Sequence, residues 1–205
     1  MCGDAGTRVE RVVGGVVAAA LRDAGAATLV MLDDRSPEGE LICGWLSSVL
    51  DAGRLRRASA LASNMQDVAA ADAAWLAGWR AARDGGALLA HPANRTALLL
   101  GGAPPRADLL PLGDLWASQV EALTGSWSAT PEIEAIAAAA GSTAALDAAL
   151  EAWVGRGAGA PPLLELESDI ARRMVQLYDR GRYFRMRPRL VPKLGPRTLG
   201  IDLWD

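Results

Sequence analysis

The 205 residues carry a formal net charge of −3 and a pI near 5.3, with 51% hydrophobic residues and a mean hydropathy of +0.13. A chain of this size and apolar content can bury a sizeable core, which argues against disorder, and its acidic balance without a basic patch argues against nucleic acid as partner. One histidine (His91), one lysine (Lys193) and two cysteines give a zinc site or a Cys–His nucleophile pair almost nothing to work with, so no metal site is expected.

In chain order, Arg8–Ala24 spaces valine, alanine and leucine as an amphipathic helix that ends near Gly25. Thr28–Leu32 is a short aliphatic run of the kind found in a parallel strand covered on both faces. Pro37–Asp51 reads as a helix: Ser36 can cap it, Pro37 suits its first position, and Glu38 and Glu40 meet its positive end. Arg57–Leu61 is a second expected strand, and Ser63-Asn64 a turn. Asp67–Arg83 is a helix with Trp75 and Trp79 on one face, fit for core or subunit contact. Ala87–His91 is a third expected strand and Asn94–Leu100 a short helix, followed by the proline-bearing loop Ala103–Asp108. Further helices are expected over Asp114–Leu123 (capped by Asp114), Pro131–Ala140 after Thr130, Ser142–Val154 and Glu167–Arg180, with a linker at Gly155–Pro162 and a basic tail over Gly181–Asp205.

Strands alternate with helices in the first half, so a parallel sheet is expected there, with one α/β domain over residues 1–205. Its parts are an α/β core (1–123), a helical part (124–180) and the tail (181–205). In such sheets the crevice at the carboxyl ends of the strands is where nucleotides usually bind. Phosphate there needs glycines and free backbone N–H groups. This chain offers Asp33, Asp34, Arg35 and Glu38 instead, so the position favours a nucleotide and the residues oppose a phosphate. His91, at the end of the third strand, can face the same crevice.

No apolar run reaches the ~20 residues that a helix needs to cross a bilayer, and the N-terminus carries acids and no signal-peptide pattern. Cys2 and Cys43 are far apart and read as reduced thiols. A cytoplasmic protein without membrane contact is the expectation.

Two stretches carry a family resemblance. In Ala87–Val120 a strand leads into Asn94-Arg95-Thr96, and a later apolar-Pro-Leu step leads into Asp114-Leu115 with Gln119-Val120. In Tyr183–Gly200, the residues Tyr183, Arg185, Pro192, Lys193, Pro196, Arg197 and Gly200 follow a second pattern. Both resemble NAD synthetases and related N-type ATP pyrophosphatases, in order and over roughly the whole chain. The resemblance implies a three-layer α/β/α sandwich with a mostly parallel Rossmann-like sheet and extra C-terminal helices. It also implies a homodimer paired through helices beside the cleft. The family's reaction is amidation of deamido-NAD with ammonia, using ATP and Mg²⁺. It places Asn94, Arg95 and Thr96 at the nucleotide cleft and makes Arg185, Lys193 and Arg197 tail candidates. Arg185, Arg187 and Arg189 fit either a grip on an anion or a solvated basic edge.

The departures from the pattern are as informative. The family's Ser-Gly-Gly-x-Asp-Ser phosphate loop is replaced by Asp33–Glu38, the acid after Asn-Arg-Thr is Ala97, and the lysine of Asp-Leu-x-Lys-Thr is Ala117. The loop Leu100–Asp108 is shorter than the family's, and no second domain carries a glutaminase cysteine. The expectation is a catalytically degenerate NAD synthetase homologue acting by binding or assembly. Alternatives are an active ammonia-dependent synthetase with an unusual loop, and an enzyme that uses the same cleft on a different, nucleotide-like or other ligand.

Overall fold

The computed structural model describes residues 3–51, 53–62, 70–101, 107–156, 168–185 and 190–194. Three short strands, β1 (Leu29–Met31), β2 (Leu55–Arg57) and β3 (Leu88–Ala90), form a parallel sheet in the order β2-β1-β3. Leu109 bridges Ala90 in parallel and Leu190 bridges Leu109 in parallel, so two further segments extend the row past β3. The rest is mainly helix, and the chain is an α/β protein with a small parallel sheet.

Helix α1 (Gly3–Asp23) precedes β1, and α2 (Pro37–Ser47) follows it. Alternation along β1 divides the core. Leu29 and Met31 pack with Val13, Val17, Ile42 and Leu46 of α1 and α2, while Val30 and Leu32 pack with Ala58, Leu89 and the half-buried Trp75. Trp75 thus takes the core role its spacing suggested. It belongs to α4 (Ala70–Gly85), whose Gly78 lies so near the sheet that a methyl group there would sit 2.5 Å from Leu32 Cδ2.

The second expected strand is corrected. Pairing with β1 covers Leu55–Arg57, and Ala58–Leu61 forms a helical turn, α3. The buried Asp34 carboxylate accepts from the Ser59 backbone N–H at 3.0 Å and from its hydroxyl at 2.5 Å, which bends the chain into a helix as soon as the strand ends. Periodicity could not reveal this, because the partner lies 25 residues away.

A second core joins α5 (Arg95–Leu99), α7 (Pro131–Ala139), α8 (Thr143–Arg156) and α9 (Ser168–Arg185) around Leu98, Ile133, Ile136, Leu146, Leu150 and Met174. Helix α6 (Ala117–Thr124) starts three residues later than expected. Trp116 is its N-cap, with the Gln119 side chain accepting the Trp116 N–H at 2.9 Å, and Asp114 is buried for another purpose. Thr130 precedes α7 without a side-chain cap bond. Helix α9 runs five residues past Arg180 and so absorbs the start of the expected tail, Arg185 included.

Of the tail, residues 190–194 lie against the sheet. The Leu110 N–H donates to the Leu190 carbonyl at 2.9 Å and the Leu190 N–H to the Asp108 carbonyl at 3.0 Å. The expected Ser63-Asn64 turn, most of the 155–162 linker, the loop 102–106, Arg187, Arg189 and Arg197 lie outside the described residues. No single helix among those described is long and apolar enough to cross a membrane.

Candidate functional site

The chain passes from β1 to β2 on one side and then crosses to β3 on the other. The direction of winding therefore reverses between β1 and β3, the position where open α/β sheets form a ligand crevice. Two turns meet there: 32–36, leading into α2, and 91–94, leading into α5. The Leu32 N–H donates to the Ala90 carbonyl at 2.7 Å and holds the two strand ends together.

The first turn is closed by its own atoms. Asp33 adopts φ 53°, a left-handed conformation that aspartate tolerates better than most residues. Its carbonyl accepts from the Ser36 N–H at 3.3 Å and the Ser36 hydroxyl at 3.0 Å. Ser36 then caps α2, its hydroxyl accepting from the Gly39 N–H at 3.0 Å and its carbonyl from the Glu40 N–H at 2.9 Å. Pro37 has no N–H, so most of the donors that make a helix N-terminus attractive to anions are absent or already used. Gly39 matters here. A methyl group at Gly39 would collide with the Asp33 carbonyl and lie 2.8 Å from Asp34 Cα. The space that glycine opens is filled by this chain's own backbone.

Three carboxylates crowd this turn. Asp34 is buried and held by Ser59. Glu38 is 3% exposed, and its Oε1 accepts from the Ser128 N–H at 2.5 Å, while Oε2 is buried with no hydrogen-bond partner among the described residues. Asp33 is exposed as a residue, yet its carboxyl is held above its ordinary value. Partial burial is the main cause, the charges of Glu38 and Asp34 add to it, and the nearby Ser36 hydroxyl works the other way. Arg35 is exposed, and no described ion pair joins an arginine to these three acids. Arg57 instead makes a two-pronged contact with Glu40, at 2.6 and 2.9 Å, on the exposed side of α2. Cys43, buried behind the turn, has its thiol pushed up to about 11, chiefly by burial, so it packs as an apolar residue and is no nucleophile.

The second turn is used for construction. The Asn94 side chain accepts from the Ala97 N–H at 2.9 Å and caps α5. Arg95 is 7% exposed, lies over the Trp116 ring at 4.5 Å and stands 3.9 Å from Asp114, whose other oxygen accepts the Leu194 N–H at 2.7 Å. The fully buried Thr96 donates to Asp147 at 2.5 Å and accepts the Ala117 N–H at 2.9 Å, while Asp147 also accepts the Ser118 N–H at 2.8 Å. Thus Thr96 and Asp147 together satisfy the start of α6. Burial holds the Asp147 carboxyl above its ordinary value, against the hydrogen bonds from Ser118 and Thr96 that favour its charge. His91 is half-buried at the crevice, and its Nδ1 accepts the Ala93 N–H at 3.1 Å, which requires that nitrogen to be unprotonated.

The two turns thus carry Asp33, Asp34, Arg35, His91 and Asn94 at the carboxyl edge of the sheet, while Arg95 and Thr96 extend behind it into buried contacts. Lys193 is exposed on the docked tail segment, and Arg185 closes α9. Sequence reasoning did not single out Ser59, Ser128 or Asp147 for the site. Only Asp147 left a trace, a lone acid in the apolar run Thr143–Leu150. No group of three or more His, Cys, Asp or Glu side chains among the described residues could hold a metal ion. With the glycine space self-filled and the helix donors taken, the residues present do not fit ATP with Mg²⁺ in the manner the resemblance implies.

Fold and site together define an α/β protein whose switch-point crevice is acidic and internally capped. No family model matches the chain, and no curated protein matches it either.

Proposed function

We propose that this chain is an NAD synthetase-like protein, a three-layer α/β/α sandwich by descent, that has lost ATP chemistry and acts by binding or by assembly as a homodimer. The motif resemblance described above supports the descent. The observation that carries the loss is the β1–α2 turn. Its glycine accommodates the chain's own Asp33 carbonyl, Pro37 has no N–H, and Ser36 takes the Gly39 and Glu40 N–H groups. A polyphosphate placed there would also meet Asp33 and Glu38. At ~7 Å and an effective dielectric near 20, each like-charge pair costs on the order of 2 kcal/mol, and two weaken binding roughly a thousandfold.

Titration calorimetry with ATP and Mg²⁺, run beside an NAD-formation assay with ammonium and deamido-NAD, tests this. The expected outcome is no heat of binding at micromolar protein and no NAD. Micromolar affinity with turnover would establish an active ammonia-dependent synthetase instead. Light scattering that finds only monomer across micromolar concentrations would remove assembly as a homodimer from the reading.

A further inference from the structure

Among the described residues no arginine or lysine makes an ion pair with the crevice's acids, and the nearest recorded cation, Arg57, is paired with Glu40 and acts on Asp34 only through its charge. Glu38 is the inner one: 3% exposed, with Oε1 on the Ser128 N–H and Oε2 without a donor among the described residues. A buried carboxylate oxygen left without a hydrogen bond is costly, more so than a neutral one. Asp33 is the outer one, exposed at the mouth of the same turn and close enough for the Glu38 charge to act on it. Asp34 contributes negative charge, though its oxygens are committed to Ser59. The positive end of the 11-residue α2 cannot satisfy Glu38 Oε2, because the Gly39 and Glu40 N–H groups are already on Ser36. The missing partner must therefore be a donor, and the surplus of negative charge makes it a cation. Among the described residues no three His, Cys, Asp or Glu side chains are placed to hold a metal ion, since the Asp34 oxygens are committed to Ser59. An ammonium group, with three N–H donors on a compact charge, matches two carboxylates at different depths.

We propose that the crevice binds the ammonium group of a small organic cation, inserted past Asp33 to donate to Glu38. Residues 125–130 form its cover. Gly125, Ser126, Ser128 and Thr130 of this segment are exposed, and the Ser128 N–H is its contact with Glu38. Glu38 Oε2 is shut from solvent in the present state, so entry opens the Ser128–Glu38 hydrogen bond while Trp127 and Ala129 keep the segment anchored on the helical core. The inference rests on reading the crevice as a site without polyphosphate, and it supplies the ligand class for that site.

The test is thermal denaturation of the full chain at fixed ionic strength with butylammonium, tetramethylammonium or magnesium chloride. Butylammonium should raise Tm by about 4 °C at tenfold above its Kd. Tetramethylammonium has the charge but no N–H, and it should give no rise. E38Q keeps an acceptor for Ser128 but loses the charge, and it should abolish the butylammonium response. Should E38Q be too unstable to read, D33N, a change at the mouth of the turn, should weaken butylammonium affinity about tenfold. No rise with butylammonium overturns the proposal, as does an equal rise with tetramethylammonium or magnesium, or an unchanged response in E38Q or D33N. ATP with Mg²⁺ is run in parallel. Its binding would overturn the phosphate-free reading, whereas silence from both ATP and butylammonium would overturn the ammonium site alone.

Discussion

Two turns stand side by side at the carboxyl edge of the sheet, and they have been put to different uses. Both end in a helix capped by a polar side chain, Ser36 on Gly39 in one and Asn94 on Ala97 in the other. The β1–α2 turn closes its main chain on the Asp33 carbonyl and Ser36, sends Asp34 to Ser59 and Glu38 to Ser128, and concentrates negative charge at the crevice. The β3–α5 turn sends its polar groups backwards: Arg95 to Trp116 and Asp114, Thr96 to Asp147 and Ala117. These contacts join the sheet, α6, α8 and the docked tail segment. The contrast separates two kinds of turn: one whose polar residues hold distant segments of the fold together, and one whose acids are left at the edge of the sheet.

Three experiments can break or sharpen that contrast. The largest effect is expected at Gly39. If the β1–α2 turn is filled by its own backbone, G39A forces two segments of main chain apart and should cost about 3 kcal/mol, read as a fall in urea midpoint at unchanged slope. An alanine tolerated without loss would mean that the turn is an open cradle after all.

Next is Thr96. In T96V the Ala117 N–H loses its acceptor and Asp147 loses a donor, both in the interior. The expected cost is about 2.5 kcal/mol, or roughly 5–10 °C in Tm for a chain of this size. An unchanged Tm would return Thr96 to the role of a ligand contact. S36A and N94A serve as matched controls, each expected to cost about 1 kcal/mol, since a helix cap is worth the same in either turn.

The smallest effect is in pH. Asp33 is raised in the folded state above its ordinary 3.8, by partial burial first and by Glu38 and Asp34 next. A folded state that holds a proton more tightly than the unfolded chain gains stability below 3.8, and that gain is lost as pH rises through the raised folded value. D33N should therefore flatten the dependence of Tm on pH in that window. A residual slope should remain from Asp147, which is raised by burial in the same direction. If D33N and the parent chain trace parallel curves, Asp33 does not feel its acidic neighbours.

The sequence by itself determined what depends on near neighbours. Aliphatic runs placed the first and third strands, and Ser36-Pro37 fixed the start of α2. The acids after β1 could likewise be read locally, because charge and the lack of glycine are properties of the stretch itself. Tertiary structure alone decided the rest. Asp34 ends β2 by capturing Ser59 across 25 positions. Asp147 reaches Thr96 across 51, and Glu38 reaches Ser128 across 90. Asp114, read locally as a helix cap, serves instead as the anchor for a tail segment 80 residues away. Gly39, which looks like any helix glycine in the sequence, is required because a carbonyl from the preceding turn lies where its side chain would be. A polar side chain takes whichever partner the fold brings within about 3 Å, and that choice follows from packing between distant segments, which hydrophobic periodicity does not encode.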